Sequence, residues 1–330
     1  MKLTIVTPVL DDWDSCGILL GALERLNLPG VSAIRVLIVD DGSATPAPDD
    51  LCGRIGDGPI GRVELLELAC NLGHQRAIAL GIAVASETPG SDAVVVMDSD
   101  GEDPPQEIPR LLARLAEEPA AIVAAGRARR SESRLFRLGY AAYQLLFWVM
   151  TGRTIRFGNF SAFTLASAQR LARMSDTWNH LAAAMLRSKL PVEVVPTSRA
   201  SRYRGRSHMA FPALIAHGFS AFSVFSEYVF ARLFLFSCLL AVLALGSGAA
   251  VIAIRLLTTL AIPGWATTAV GVLGIVLLQA VLLCLIASVQ LLAARSQAGA
   301  IPLSLVGTFV RRTRVLAPRE DAASDALRRH

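Results

Sequence analysis

A long uncharged stretch in the C-terminal part of this chain constrains its fold more than any other feature. Across residues 233–294 the only charged side chain is Arg255, and a soluble chain of 330 residues rarely leaves such a stretch uncharged. As a helix, residues 233–254 match a hydrocarbon core roughly 30 Å thick, and residues 265–294 are longer than required. We therefore predict two membrane-spanning helices joined by a turn at residues 263–265. The alternative is a helical hairpin buried in a large soluble core.

Arginines lie outside both ends of the predicted hairpin, and their distribution predicts its orientation. Basic flanks favour the cytoplasmic side, so we expect both termini there. The opening residues 2–10 are too short, and too soon followed by acids, to be a signal peptide. The flanking residues are Arg199, Arg202, Arg204, Arg206 and Arg232 before the first span, and Arg295, Arg311, Arg312 and Arg314 after the second.

Residues 1–200 alternate short apolar runs with stretches of helical periodicity. The runs at 3–8, 35–43, 63–68 and 93–100 are almost continuously apolar, which is typical of strands covered on both faces. The alternation predicts an α/β domain with a mostly parallel sheet, in which ligands bind at the carboxyl ends of the strands. We expect one crevice to collect the polar clusters Asp11-Asp12, Asp40-Asp41-Gly42-Ser43, Asn71-Leu72-Gly73-His74 and Asp98-Ser99-Asp100.

Two further segments, residues 135–150 and 209–225, are apolar helices that each follow a cluster of arginines. A basic stretch leading into an amphipathic helix is typical of an element that lies in the membrane interface. The alternative for each is a core helix preceded by a solvated charged loop.

The fourth apolar run ends in acids whose charges repel one another. Asp98, Asp100 and Glu102 are spaced at i, i+2 and i+4 in a turn that Pro104-Pro105 closes. Their oxygens could share one hard divalent cation, Mg²⁺ or Mn²⁺, with a diphosphate in the remaining positions, and this would remove the repulsion.

Four motifs in order resemble family 2 glycosyltransferases of the membrane-bound, polyprenyl-phosphate type. They are TPVLDD (7–12), VDDGS (39–43), NLGHQRAIALG (71–81) and DSDGEDPP (98–105). The resemblance covers roughly residues 1–225. It implies a GT-A fold, which is a Rossmann-like, mostly parallel sheet, with interfacial helices and two C-terminal transmembrane helices. The domains expected from it are a catalytic domain (1–208), a second interfacial helix (209–228), the hairpin (229–294) and a cytoplasmic tail (295–330).

The resemblance also implies roles for the strand-end residues. Pro8, Asp12, Asp40 and Asp41 are expected to line the nucleotide pocket, and Asn71 and Gly73 to lie near its base or ribose. Asp98, Asp100 and Glu102 are expected to hold the metal on the diphosphate, with Glu102 in place of the more common Gln. The alternative for residues 40–43 is an ordinary strand-ending turn.

An acceptor site follows from the same resemblance. Forked guanidinium groups suit a lipid phosphate held at the membrane surface, and an alternative partner for them is the anionic lipid headgroup. The residues expected there are Arg127, Arg130 and Arg134, then Arg199, Arg202, Ser207 and His208, the last in place of a Lys.

Residue 159 departs from the family pattern. Relatives often carry Gly-Asp-Phe, with the Asp as a proposed general base, whereas this chain has Gly158-Asn159-Phe160. An amide is no useful base, but the second pKa of a phosphate monoester is near ~6, so such an acceptor is already largely anionic. A phosphate nucleophile therefore needs no strong base. We expect the catalytic set to be Asp98, Asp100, Arg127 and Asn159.

The expected enzyme is an inverting transferase that moves a sugar from a nucleotide sugar, with UDP favoured, to a polyprenyl phosphate at the cytoplasmic face of the inner membrane. The family resemblance further implies a homo-oligomer, a tetramer, and we expect no nucleic-acid partner. Two alternatives are a processive polysaccharide synthase, for which the Q-x-x-R-W motif is missing, and a catalytically silent scaffold for lipid-sugar export.

Overall fold

A computed structural model describes residues 1–117, 121–127, 134–198, 200–204, 211–258, 264–296 and 299–318. Its strands are β1 (Lys2–Val9), β2 (Ala33–Asp40), β3 (Ile60–Leu68), β4 (Ala93–Val96), β5 (Ile122–Arg127), β6 (Phe157–Thr164), β7 (Val192–Thr197) and β8 (Val310–Pro318). Its helices are α1 (Trp13–Glu24), α2 (His74–Ser86), α3 (Ile108–Glu117), α4 (Arg134–Thr151), α5 (Leu165–Ala172), α6 (Asp176–Asn179), α7 (Leu181–Arg187), α8 (Phe211–Val224), α9 (Ser226–Leu257), α10 (Trp265–Ser296) and α11 (Pro302–Phe309).

The chain divides into two compact units. One holds all eight strands together with α1–α3, α5–α8 and α11, and the other holds α4, α9 and α10.

The strands of the first unit form one sheet in the order β7-β5-β6-β4-β1-β2-β3-β8. Its central pairs β4–β1, β1–β2 and β2–β3 are parallel, while β6 and β8 run antiparallel to their neighbours. Apolar residues occupy both faces of β1 and β4 because helices cover both sides of the sheet. The predicted α/β class, the mostly parallel sheet and the two long apolar helices are confirmed.

Two apolar cores sandwich the sheet. One forms against α1 and α3, and the other against α2, α5 and α7. Gly81 of α2 permits close approach in the second core, because a Cβ there would lie 2.4 Å from Val6 Cγ1 and 2.8 Å from Val39 Cγ2. Close contact between α2 and the strands in turn fixes the N-terminus of α2 over the carboxyl ends of β1 and β4.

The C-terminal segment differs from the expected tail. Helix α11 packs on α2, and β8 pairs antiparallel with β3 as an edge strand of the sheet. The sequence of β8 hides this role, because Arg311, Arg312 and Arg314 resemble a basic flank of the hairpin. The chain therefore returns to the first unit's sheet after α10, while residues 319–330 lie outside the described part.

The second unit contains the candidate spans. Within the described residues, two helices are long and apolar enough to cross a membrane, Ser226–Leu257 and Trp265–Ala294. Helix α4 packs on α9: Phe147 stacks edge-on to Phe225, and Arg232 donates hydrogen bonds to carbonyl oxygens of Trp148 and Val149. The bond to Val149 O satisfies a carbonyl group near the end of α4, and Trp148 O also accepts a hydrogen bond from Gly152 N at 2.7 Å.

Candidate active site

The carboxyl ends of the parallel strands meet at one edge, as the polar clusters predict. Val9 is in register with Asp40, and Asp40 with Glu67. The amide of Asp41 donates to Val9 O at 2.9 Å, and that of Met97 donates to Val6 O at 3.1 Å. The motif residues after β1, β2 and β4 therefore leave the sheet side by side.

The acidic loop after β4 is held by its own backbone. Asp98 N donates to Asp103 Oδ2 at 3.1 Å, and Glu102 N donates to Asp100 Oδ1 at 2.9 Å. Between them Gly101 adopts a φ of 90°, with the ring of Tyr203 2.7 Å from where its Cβ would be. This position requires glycine, because a side chain would meet both the strained φ and the ring.

Cationic side chains face the acidic loop. His74 Nε2 lies 2.9 Å from Asp98 Oδ1, and Arg202 Nη2 lies 2.8 Å from Asp100 Oδ2. Burial opposes the imidazolium form, but the charge and hydrogen bond of Asp98, together with the charges of Asp41 and Asp100, outweigh it, so the pKa of His74 is raised. The loop carboxylates are thus neutralised by groups on α2 and on the β7–α8 segment.

The carboxylate oxygens of this loop fit a hard divalent cation, because such cations prefer oxygen ligands. Among the described residues, however, no group of three or more His, Cys, Asp or Glu side chains is already arranged as a metal site. Arg202 contacts Asp100 and also lies 3.5 Å from Glu102 Oε1. That Asp98, Asp100 and Glu102 together hold one ion therefore stays a prediction.

The β3–α2 loop is organised by Asp41. Its carboxylate accepts hydrogen bonds from the amides of Leu72 at 2.8 Å and Gly73 at 2.9 Å. Asn71 Oδ1 accepts a further bond from Gly73 N at 3.0 Å. Burial raises the pKa of Asp41, and the two amide bonds oppose that rise. Asp41 is only 3% exposed, so it supports the loop from the interior of the protein. Asn71, in contrast, is exposed at the surface of the loop.

The other predicted nucleotide residues lie at the same edge, each with a local partner. Pro8 O accepts from Ser99 Oγ at 3.0 Å, which ties β1 to the acidic loop. Asp12 caps α1 by accepting from Ser15 N at 3.3 Å, and Asp40 Oδ1 accepts from Ser43 N at 2.8 Å. Their roles toward a nucleotide stay predictions.

The predicted acceptor residues are only partly described. Arg127 ends β5 and Arg134 begins α4, while Arg130, Arg199, Ser207 and His208 lie outside the described residues. The structure places Arg202 against the acidic loop. Its role toward a lipid phosphate stays a prediction.

Asn159 lies at the start of β6, next to the site. Val96 of β4 is in register with Ser161, so Asn159 follows the same ladder toward the acidic loop. Gln75 Nε2 donates to Asn159 Oδ1 at 3.1 Å, and His74, its neighbour on α2, bonds Asp98.

Sequence reasoning gave no role to His74, Gln75 or Tyr203. His74 and Gln75 directly follow the Asn-x-Gly motif. Two polar residues at the start of a helix, next to the ends of the strands, are a signal that could have predicted their place in the site. For Tyr203 the only signal is its place between the arginines of the acceptor segment.

Comparisons with known proteins identify a matching family and several similar proteins. Residues 4–181 match the family model described as "Glycosyl transferase family 2". An undecaprenyl-phosphate 4-deoxy-4-formamido-L-arabinose transferase of Yersinia pestis (strain Pestoides F) is 32% identical over 136 residues, 41% of this chain and 39% of that protein. The transferase of the same name from Serratia proteamaculans (strain 568) is 33% identical over 136 residues, 40% of this chain and 39% of that protein.

The matched stretch spans about two fifths of the length of these curated relatives. Among solved structures, glucosyl-3-phosphoglycerate synthase from Mycobacterium tuberculosis, in complex with Mn²⁺, uridine-diphosphate-glucose and phosphoglyceric acid, aligns with a TM-score of 0.49 and 14% identity. The alignment covers 69% of this chain and 79% of that one.

Proposed function

We propose, from the premise that this chain belongs to glycosyl transferase family 2, that it moves a sugar from a nucleotide sugar to a polyprenyl phosphate at a membrane. The observation that carries the proposal is the combination, in one chain, of the family's strand-end motifs at one sheet edge with two helices suited to span a bilayer. The matched relatives are named for transfer to undecaprenyl phosphate, which supports the same acceptor class here.

The donor is expected to bind across the strand ends. The edge where a nucleotide would enter carries Pro8, Asp12, Asp40, Asn71 and Gly73, and Asp41 holds the β3–α2 loop in place there. A UDP-sugar is favoured by the family resemblance.

A divalent ion, Mg²⁺ or Mn²⁺, is part of the proposal. Asp98 and Asp100, with Glu102, would hold it once Arg202, which now contacts Asp100 and Glu102, gives way. Such an ion stabilises the negative charge that develops on a departing nucleoside diphosphate. His74 remains beside Asp98 as a further positive group at the same edge.

The proposed reaction is a single inverting displacement. An oxygen of the acceptor phosphate forms a bond to the anomeric carbon while the bond from that carbon to the nucleoside diphosphate breaks. Charge-assisted hydrogen bonds would orient the acceptor phosphate, and the residues proposed to make them are Arg127, Arg130, Arg134, Arg199, Arg202, Ser207 and His208. Because the nucleophile is already anionic, Asn159 need not remove a proton.

The proposed topology places the catalytic unit and both hairpin ends in the cytoplasm. β8 follows α10 and joins the sheet that precedes α9, so both ends of the hairpin connect to the same folded unit. This supports an even number of crossings, in agreement with the basic flanks. A homo-oligomer, a tetramer by family resemblance, is also proposed, and light scattering of the purified protein would test it.

The test is a transfer assay with the purified full-length chain. Undecaprenyl phosphate, Mg²⁺ or Mn²⁺ and a panel of labelled UDP- and GDP-sugars are incubated together, and label entering the organic phase is counted. We expect one nucleotide sugar to give a lipid-linked product. Undecaprenol, which carries only a hydroxyl, is the matched control acceptor. Transfer to undecaprenol alone, or label appearing in a polymer, would overturn the proposal.

A further inference from the structure

A chain of hydrogen bonds fixes the orientation of Gln75 beside the site. The backbone amide of Leu181 lies 2.8 Å from one terminal atom of the Gln75 side chain. A backbone N–H can only donate, so that atom is the oxygen Oε1. The other terminal atom is therefore the nitrogen Nε2, and it faces Asn159.

The orientation of Gln75 in turn fixes that of Asn159. Gln75 Nε2 can only donate, and it lies 3.1 Å from a terminal atom of Asn159, which must then be the acceptor Oδ1. This leaves the amide nitrogen Nδ2 as the other end of the Asn159 side chain. Amide orientations follow from such a network, and here the fixed donor is a backbone group.

The residue is only 7% exposed, and no described residue accepts a hydrogen bond from Asn159 Nδ2. Within the described part of the chain, this nitrogen is not among the fully enclosed side-chain atoms that lack a partner, so it reaches open space and can donate to a ligand that enters the site. Its place beside the acidic loop follows from its neighbour, since His74 bonds Asp98 and Gln75 bonds Asn159.

We propose that Asn159 donates its Nδ2–H groups to an anionic oxygen of the acceptor, and that Gln75 is the positioning residue that holds it in this orientation. The proposal rests on the proposed function and deepens it by naming the acceptor as a phosphate rather than a hydroxyl. A carboxylate at residue 159 would accept from Gln75 and present a second acceptor oxygen, which suits a hydroxyl that must lose a proton. An amide presents a donor, which suits a group that has already lost it.

The test compares Asn159→Asp with the wild type. We expect the KM for undecaprenyl phosphate to rise about ten- to a hundredfold, the loss of one hydrogen bond to a charged group, while the KM for the nucleotide sugar stays within about twofold. The KM increase should shrink as the pH falls below about 6, because the acceptor then carries an O–H that can donate to the carboxylate. A merely structural role of Asn159 would not produce this pH dependence.

A second variant keeps the test valid if Asn159→Asp does not fold. Gln75→Glu leaves residue 159 intact but removes the donor that fixes it, so we expect a smaller increase of the acceptor KM, about three- to tenfold. Matched controls are Gln169→Glu, whose amide donates to Ser86 O on a different part of α2, and Asn179→Asp on the exposed side of α6. Both should leave the acceptor KM unchanged.

The outcomes separate the two proposals. If the wild type transfers sugar to no lipid phosphate, the proposed function fails. If the wild type transfers sugar but Asn159→Asp has an unchanged or lower acceptor KM, or a KM increase that does not depend on pH, the donor role of Asn159 is overturned while the function stands.

Discussion

Two acidic clusters in the first unit differ in the number of arginines that contact each carboxylate. Glu67 on β3, whose side chain is 7% exposed, is contacted by three arginines of β8, namely Arg311, Arg312 and Arg314. The loop after β4 has four carboxylates. Asp103 accepts a hydrogen bond from the amide of Asp98, and the other three, Asp98, Asp100 and Glu102, have the guanidinium of Arg202 and the imidazole of His74 beside them.

The two clusters differ in the part of the structure that holds their arginines. Arg312 is directly in register with Glu67, so backbone pairing of β3 with β8 holds the arginines where they are. Arg202 lies on the segment between β7 and α8, outside any helix or strand. An arginine held by a paired strand stabilises the fold, whereas an arginine on a loop can be displaced by another cation. We infer that the first cluster is structural and the second exchangeable.

The largest effect is expected when the exchangeable cluster loses a carboxylate. Asp100→Asn keeps the shape of the side chain but removes its charge, so sugar transfer should fall by at least about a hundredfold at saturating Mn²⁺. The melting temperature should change little, because asparagine keeps the side-chain oxygen that accepts a hydrogen bond from Glu102 N. Transfer assays and thermal unfolding of the detergent-solubilised chain measure the two effects. Asp49→Asn, on the exposed β2–β3 connection, is the control. Undiminished transfer by Asp100→Asn would remove the metal from the proposal.

The structural cluster should respond in stability rather than activity. Glu67→Gln leaves three guanidinium groups without their carboxylate, and we expect the free energy of unfolding to fall by about 2 kcal/mol at pH 7. Hydrogen bonds from Arg312 and Arg311 outweigh burial and lower the pKa of Glu67 to about 2. Its stabilisation is therefore complete above about pH 5 and is lost as the pH falls toward 2.

Thermal unfolding across this pH range checks the sign. The difference in melting temperature between the wild type and Glu67→Gln should be largest near neutral pH and shrink on acidification. Glu117→Gln, which removes the exposed partner of Arg114, is the control and should have little effect. A Glu67→Gln difference that grows toward low pH would contradict the assignment.

The sequence predicts those parts of the fold whose signal is local. Strands β1–β4 are recognisable as apolar runs and α9 and α10 as uncharged stretches, because each pattern lies within one element. Strand β8 is not predicted by such a local pattern. Its three arginines resemble a basic flank, and its partner Glu67 lies 244 residues from Arg311 in the chain.

The same limit applies to the site. Motif order predicts that Asp40, Asn71 and Asp98 share one edge, since parallel strands end together. It does not predict that Gln75 and Asn159, 84 residues apart, fix each other's amides, or that Arg202 lies on Asp100. Such contacts depend on where β6 and the β7–α8 segment pass the edge, and that is decided by sheet order rather than by local pattern.

Removing the cation from the exchangeable cluster should have a moderate effect. In Arg202→Gln the carboxylates of Asp100 and Glu102 lose a competing guanidinium, so Mn²⁺ should bind about two- to tenfold more tightly, the value of one partly exposed ion pair. Calorimetric titration of the full chain with MnCl₂ measures this. Arg204→Gln is the control, because Arg204 pairs instead with the exposed Asp14. Weaker Mn²⁺ binding by Arg202→Gln would mean that Arg202 supports the ion rather than competes with it.

The smallest effects distinguish the arginines of the structural cluster from one another. Arg312 contacts Glu67 through two nitrogens from a paired position, whereas Arg311, 63% exposed, contributes one contact at 2.9 Å. We expect Arg312→Gln to cost about 1 kcal/mol of unfolding free energy and Arg311→Gln only a few tenths, because the remaining arginines still neutralise Glu67. Melting temperatures of the two variants, measured at one salt concentration, give the order. If Arg311→Gln is the more destabilising, the number of positive charges near Glu67, rather than the β3–β8 register, determines how much the cluster stabilises the fold. The proposed difference between this cluster and the acidic loop would then be wrong.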